Sequence, residues 1–429
     1  MELEDGALRE CLLALQRHPP GQDEQLRPQS RHVSQAEAEG ELTELLLKLL
    51  GSRVTPSHIA AFLTQSVVHK ALQGDLSSFA KKNETQTTEN NEENEQLLCS
   101  ESLCHYCLQC LQEVISQWLE QLPPLPPPPH ELCVSVHAIR NTRRKMEDRH
   151  VILQDFNMLF GIKDSIPRSY FAVFDGHGGV DAANYASTYV HVNVARHEGL
   201  EQDPAQALRE SFQRTDAMFL KKAKREIPRL RSGTTGVCIL LEGDRFHVAW
   251  LGDSQALLVR QGNYVTLMDP HKPERKDERE RIESLGGCVA FMGCWRVNGT
   301  LAVSRAIGDI DQKPFVSGEG DVTSHILSGT EDFLVLACDG FYDTVSPPEV
   351  PRLVFDYLQE NGGNWQHVAE RLVTVAKEGG SSDNITVVVV FLKHPQKLLE
   401  DIQAQGSVEG QALFDFGGEA EEVASDHAG

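Results

Sequence analysis

Four aspartates stand at the ends of short, strongly apolar runs, and their placement constrains the fold of this chain more than any other feature. Asp175 closes Tyr170-Phe171-Ala172-Val173-Phe174 and leads into Gly176-His177-Gly178-Gly179. Asp253 follows Phe246 to Gly252, Asp339 closes Phe333 to Cys338, and Asp383 opens Asn384-Ile385-Thr386 and the run Val387 to Leu392. Runs of this length, rich in Val, Phe and Leu and bounded by Gly or Asp, have the pattern of buried strands. If the last strand runs antiparallel to the others, all four carboxylates emerge at one end of the sheet core. Gathered carboxylates repel one another and lose solvation, so cations are needed to neutralise them. Mg²⁺ and Mn²⁺ prefer all-oxygen sites of this kind. The pattern predicts a hydrolase built around a hard metal.

With 429 residues, the chain can hold one large domain with extensions, or two domains. No apolar stretch reaches the roughly 18–20 residues of a membrane-spanning helix. The acidic start (Glu2, Glu4, Asp5) lacks the basic-then-apolar order of a secretory signal. Ten cysteines without disulfide-framework spacing fit a reducing compartment and predict a cytoplasmic protein. A net charge of −23 argues against sequence-independent nucleic-acid binding, which depends on Lys and Arg neutralising phosphates. Neither a nucleic acid nor a membrane is expected as a partner.

Local pattern divides the chain into three regions. Residues 1–130 read as a helical extension for regulation or partner binding. Glu41 to Leu50 is a helical run stopped by Gly51. Pro56 to Leu72 is a second helix with proline near its start, and Leu97 to Leu122 a third. Asn83 to Gln96 is a polar linker, and Pro123 to Pro129 predicts extended polyproline II and a boundary. Across residues 131–393, strands are predicted at Cys133–Ile139, His150–Leu153, Ser169–Phe174, Thr234–Leu241, Phe246–Leu251, Ala256–Arg260 and Tyr264–Met268. Helices are predicted over Val180–Ala195, Pro204–Glu226, Glu274–Leu285 and Trp365–Glu378. Short turns at Glu242-Gly243-Asp244 and Gln261-Gly262-Asn263 imply antiparallel pairing. The class is α+β, with sheets covered by helix layers. Residues 394–429 are expected as an acidic, disordered tail with a short apolar patch at Leu413 to Phe416.

Asp175-Gly176-His177-Gly178-Gly179 is the densest site. Its glycines let backbone approach a ligand closely, and His177 is placed to give or take a proton. A strand-ending turn with an exposed histidine explains the pentapeptide equally well. Arg143-Arg144-Lys145-Met146-Glu147-Asp148 adds two carboxylates and cations able to grip a phosphate through parallel hydrogen bonds. Taken alone, it reads more simply as a charged strand edge.

The combination removes most of that ambiguity. In order, the chain carries Met146-Glu147-Asp148, Phe174 to Gly179, Ser232-Gly233-Thr234-Thr235, Gly252-Asp253-Ser254, Ser304 to Asp309, Cys338 to Asp343, and Asp383 to Thr386. That ordered set, spanning about Leu132 to Leu392, resembles the metal-dependent Ser/Thr protein phosphatases of type 2C. The resemblance implies a β-sandwich of two antiparallel sheets flanked by helices on both faces. It implies that Asp175 bridges two Mn²⁺ or Mg²⁺ ions, with the Gly176 carbonyl serving one of them. Asp339 and Asp383 would complete the other, while Glu147 and Asp148 act through bound water. Asp253 matches a carboxylate linked to a weaker third ion, with Asp343 near the same place. Arg143 matches the phosphate-binding arginine, and His177 the general acid for the leaving alkoxide. Metal-activated water would then attack phosphorus in line, without a covalent phospho-enzyme.

Two unusual segments, Ile139 to His150 and Cys294 to Thr300, look like those of the calcium/calmodulin-dependent protein kinase phosphatases, a subgroup also described as partners of PIX exchange factors. That resemblance implies substrates among autophosphorylated kinases, calmodulin-dependent and p21-activated kinases included. Residues 1–130 would bind PIX-type factors or SH3 proteins. A metal phosphoesterase acting on a small phosphorylated metabolite would use the same chemistry and stays open as an alternative.

Other features are discounted. Cys104, Cys107 and Cys110 invite a zinc or iron–sulfur reading, but Val114 stands where a fourth cysteine is needed. Leu103, Cys107, Cys110, Val114 and Trp118 instead form one apolar helical stripe. Cys238 and Cys338 lie in apolar runs and read as packing residues, which disfavours a cysteine nucleophile. Arg275 to Arg281 alternates in charge as a solvated helix face does.

Overall fold

A computed structural model describes residues 2–18, 28, 30–53, 55–81, 96–125 and 132–403. Most of the predicted linker, Pro126 to Pro129 and the tail beyond residue 403, with its Leu413 to Phe416 patch, lie outside the described residues. The chain begins with α1 (Glu2–Arg17), β1 (His32–Ser34), α2 (Gln35–Ser52), α3 (Ser57–Gln73), β2 (Leu97–Cys99) and α4 (Ser100–Glu120). These elements share a core containing Leu8, Leu42, Leu46, Val67 and Leu111. The α4 stripe of Leu103, Cys107, Cys110, Val114 and Trp118 is buried in that core.

Three features of this region differ from the sequence expectation. Leu97–Cys99, expected to open the third helix, pairs instead as β2 with β1, and α4 begins at Ser100. Helix α1 was not foreseen, although Leu8, Leu12 and Leu15 mark one face and are fully or almost fully buried. Helix α2 starts six residues earlier than Glu41 (35 against 41) because Ser34 opens a capping box, in which Glu37 accepts from the Ser34 backbone N–H at 2.6 Å. It also runs through Gly51 to Ser52. A glycine in an exposed last turn costs a helix only about 1 kcal/mol, so Gly51 does not stop it.

The chain continues through β3 (Cys133–Ile139), β4 (Arg149–Leu153), α5 (Phe156–Phe160), β5 (Arg168–Phe174), β6 (Gly176–His177), α6 (Asp181–Ala195), α7 (Pro204–Arg225) and β7 (Gly233–Thr234). Next come β8 (Gly236–Glu242), β9 (Arg245–Leu251), β10 (Gln255–Arg260), β11 (Asn263–Thr266), α8 (Lys276–Ser284), β12 (Val289–Phe291), β13 (Trp295–Val297) and β14 (Ile307–Gly308). The last named elements are β15 (Asp321–Ile326), β16 (Glu331–Ala337), α9 (Asp339–Tyr342), α10 (Val350–Glu360), α11 (Val368–Glu378) and β17 (Ile385–Phe391).

Two five-stranded sheets, β11-β10-β16-β17-β3 and β15-β9-β8-β5-β4, form a sandwich, and every neighbouring pair in them is antiparallel. Side-chain alternation explains how they stack. On β5, Phe171 and Val173 enter the space between the sheets, where Leu334, Leu336 and Val388 of the other sheet also lie. Tyr170, Ala172 and Phe174 join Ala182, Ala186 and Phe212 of α6 and α7 on the outer face. On β16, Phe333 and Val335 turn outward to Val354 of α10 and Leu372 of α11. Both faces of each central strand are therefore buried, so its sequence reads as a continuous apolar run instead of an alternating one.

The N-terminal helices dock on the outer side of the second sheet. Gly40 of α2 lies under the ring of Tyr189, and a Cβ there would come within 2.6 Å of it. Tyr185 donates to Glu37 at 2.7 Å, Tyr189 donates to Glu41 at 3.3 Å, and Arg196 grips Glu39 at 2.5 Å. Residues 395–403, expected within the disordered tail, are helical, and Leu398 packs into the core beneath α10 and α11.

Candidate active site

Strands β5 and β9 are each antiparallel to β8 between them, so they run in one direction and release Asp175 and Asp253 at one end. Strand β17 is antiparallel to β16, which places Asp383 before one and Asp339 after the other at a common end. Carboxylates from both sheets thus meet at a cavity of about 650 Å³. Its walls also carry Arg143, Arg144, Lys145, Glu147, Gly176 and His177. Asp148 does not reach the cavity wall; it lies buried behind it, accepting from the Thr386 hydroxyl at 2.7 Å.

Crowding is written into the acidity of these groups. Burial, then Asp339, Asp148 and Asp253, raise the Asp175 carboxyl well above the usual carboxylate range. Burial and Asp253 push Asp339 up to about 7. Burial pushes Asp148 up to about 6, against a lowering hydrogen bond from Thr386. Asp343 is raised by burial, with Lys272 opposing and Asp253 and Asp383 reinforcing the shift. Divalent cations reverse this balance, because they reward the ionised forms.

Candidate ligand atoms of Asp148, Asp175 and Cys338 lie within 4.8 Å of one another. The Cys338 sulfur is already engaged: it accepts from the Thr386 N–H at 3.2 Å and donates to the Asn384 carbonyl at 3.5 Å. Burial keeps its thiol protonated, far above its ordinary pKa. Oxygen donors therefore define the site, and the donor set fits a hard divalent metal.

Backbone geometry fixes the remaining groups. Asn384 accepts from the Glu147 N–H at 2.8 Å and donates to the carbonyls of Arg140 and Lys145 at 2.8 and 3.0 Å. One side chain thus ties down the loop that carries Arg143, whose guanidinium pairs with Asp383. His177 Nε2 and Asp309 Oδ2 are 2.7 Å apart. Gly233 lies against both, leaving no room for a side chain. Lys272 forms an ion pair with Asp253. Asn384 and Asp309 appear in the motifs quoted above, but the sequence assigned neither a role. Lys272 gave no signal at all, because its partner lies in another segment.

Arg149 belongs less to the cavity than its sequence neighbours do. Its guanidinium donates to Asn184 at 2.6 Å and to the Asp148 carbonyl at 2.6 Å. The charged stretch on α8 is not a simple solvated face either. Glu278 is 1% exposed and holds Arg305 at 2.7 Å and Arg281 at 2.9 Å.

The model of one family, protein phosphatase 2C, matches residues 133–385. Protein phosphatase 1F of Rattus norvegicus is 56% identical over 389 residues, spanning 90% of this chain and 85% of the relative. Among solved structures, a C. elegans sex-determining protein aligns over 92% of this chain and 96% of its own, with a TM-score of 0.71 and 22% identity. A serine-threonine phosphatase 2C from Toxoplasma gondii aligns over 63% of this chain and all (100%) of its own, with a TM-score of 0.54 and 23% identity. At those identities the two structures speak for the fold, a sandwich of antiparallel sheets flanked by helices. The chain belongs to the protein phosphatase 2C family, the metal-dependent protein serine/threonine phosphatases. No helix among the described residues is long and apolar enough to cross a membrane.

Proposed function

We propose that this phosphatase acts on autophosphorylated protein kinases, calmodulin-dependent and p21-activated kinases among them, with two Mn²⁺ or Mg²⁺ ions at its centre. The observation that carries the reading is the junction of carboxylates from both sheets with Arg143, Arg144 and Lys145 in one cavity. Asp175, the Gly176 carbonyl, Asp339 and Asp383 would hold the ions, with Glu147 and Asp148 acting through water. Asp253 would serve a weaker third ion. Bound divalent ions would supply an activated water and neutralise the phosphoryl oxygens.

The chain's own groups do the rest. Arg143 is 58% exposed on its side chain, so it can leave Asp383 and grip an incoming phosphate in bidentate fashion. Burial disfavours a charged His177, but the hydrogen bond and charge of Asp309 raise its pKa. It is thereby kept ready to protonate the departing serine or threonine oxygen. The basic wall attracts the phosphate itself, while the acidic remainder of the protein attracts the basic kinase segments that flank it. All ten cysteines are free, which supports a cytoplasmic setting. We assign the N-terminal helices a docking role for PIX-type or SH3 partners.

The test is phosphate release from autophosphorylated kinase and from phosphorylated metabolites, with Mn²⁺ or EDTA and an Asp339→Asn control. Turnover of the kinase alone, dependent on Mn²⁺, is expected. Faster turnover of the metabolites would overturn the substrate assignment.

A further inference from the structure

We propose that Lys272 is a built-in cation at the Asp253 edge of the cavity, holding the carboxylate that an additional divalent ion would need and so limiting how many ions the protein binds. The inference rests on the metal-centre reading above.

The ammonium of Lys272 is hydrogen-bonded to Asp253 Oδ2, and the Asp253 side chain is 5% exposed. Its position is set by the backbone on both sides. The His271 N–H donates to the Gly252 carbonyl at 2.8 Å, and the Gly252 N–H donates to His271 Nδ1 at 3.1 Å. The residue before Lys272 is therefore laced to the residue before Asp253 in both directions. The His271 carbonyl also accepts from the Ser304 N–H and hydroxyl, each at 3.0 Å, and its Nε2 lies 3.1 Å from Asp321. An ion entering at Asp253 must first displace this ammonium, whose anchor at His271 is fixed by the backbone; the cation beside Asp383, by contrast, is the exposed Arg143, which is free to swing away.

The experiment counts Mn²⁺ bound to the full chain by electron paramagnetic resonance titration. Lys272→Met should gain an ion bound about tenfold or more tighter than any corresponding ion of the parent protein. Asp253→Asn added to Lys272→Met should remove that ion, and Lys272→Arg should keep the parental count. If Lys272→Met fails to fold, Lys272→Gln is titrated in its place with the same expectation. Identical counts and affinities in the neutral variant and the parent, or loss of an ion, would overturn the proposal. A parent protein that binds no Mn²⁺ would instead overturn the metal-centre reading.

Discussion

His177 and Asp309, 132 residues apart in the chain, meet at 2.7 Å through Nε2 and Oδ2. Strand pairing makes the contact possible: β7 lies between β6, which carries His177, and β14, which ends immediately before Asp309. Asp309 adopts a left-handed backbone, φ 48° and ψ 48°, which turns its carboxylate back toward the imidazole. Aspartate is among the few residues that tolerate that conformation.

Asp309→Asn should therefore lower the His177 pKa and move the alkaline limb of kcat for phosphopeptides to lower pH. The effect on p-nitrophenyl phosphate should be smaller, because its leaving group needs no proton. The pair stabilises the fold fully below the unfolded histidine pKa of about 6.5 and weakens as pH rises through the elevated folded value. The variant should thus lose more stability at pH 6 than at pH 9. pH–rate profiles and thermal melts check both limbs.

Metal affinity should rise steeply with pH. Asp148 at about 6 and Asp339 at about 7 hold protons that an ion must displace. Their elevated values also mean that the metal-free fold is favoured when they are protonated and weakened as pH rises through these values. The melting temperature of the EDTA-treated protein should fall between pH 5 and pH 8, and added Mn²⁺ should restore it most at the upper end. A flat profile in both forms would contradict the crowded-carboxylate picture.

Asp175→Asn, Asp339→Asn and Asp383→Asn should each abolish turnover while leaving the metal-free fold intact. Removing one charge from the crowded set relieves repulsion, so thermal stability in EDTA should hold or rise. Phosphopeptide turnover, Mn²⁺ binding and circular dichroism of the three variants together test this.

Arg143→Ala should mainly raise KM for phosphosubstrates, with kcat much less affected, since it removes phosphate binding more than bond cleavage. It also frees Asp383 from its guanidinium partner. Equal losses in kcat and kcat/KM would place Arg143 in the transition state instead.

Gly40→Leu should loosen the docking of the N-terminal helices, because the new side chain meets the Tyr189 ring. Undocking exchanges the Tyr185–Glu37 and Tyr189–Glu41 hydrogen bonds for bonds to water, a loss of about 0.5–1.5 kcal/mol each. Limited proteolysis should release a fragment containing residues 132–403 more readily than from the parent. An unchanged digestion pattern would show that the interface adjusts to the added side chain.

The apolar runs ending in Asp175, Asp253, Asp339 and Asp383 were legible because a strand buried on both faces leaves few polar interruptions. Strand β15 was not, since Asp321, Ser324 and His325 on a sheet edge break its apolar pattern. Helix α10 was hidden by Pro347, Pro348 and Pro351, although proline fits a first turn. The cavity carboxylates carried a signal because they punctuate the sequence. Lys272, Asp309 and Asn384 owe their roles to partners far away in the chain, and no local spacing encodes such a pairing. The ion network of Glu278 was misread for the same reason: charge alternation on α8 looks alike whether Glu278 faces solvent or Arg305.

The two sheets contribute separate halves of the carboxylate cluster: Asp175 and Asp253 leave one sheet, while Asp339 and Asp383 flank strands of the other. An ion held by carboxylates of both halves would act as a rivet through the open end of the sandwich. By mass action, its binding energy would be added to the cohesion of the two sheets. The opening of either sheet would release it, so ion loss would be an early sign of the layers parting.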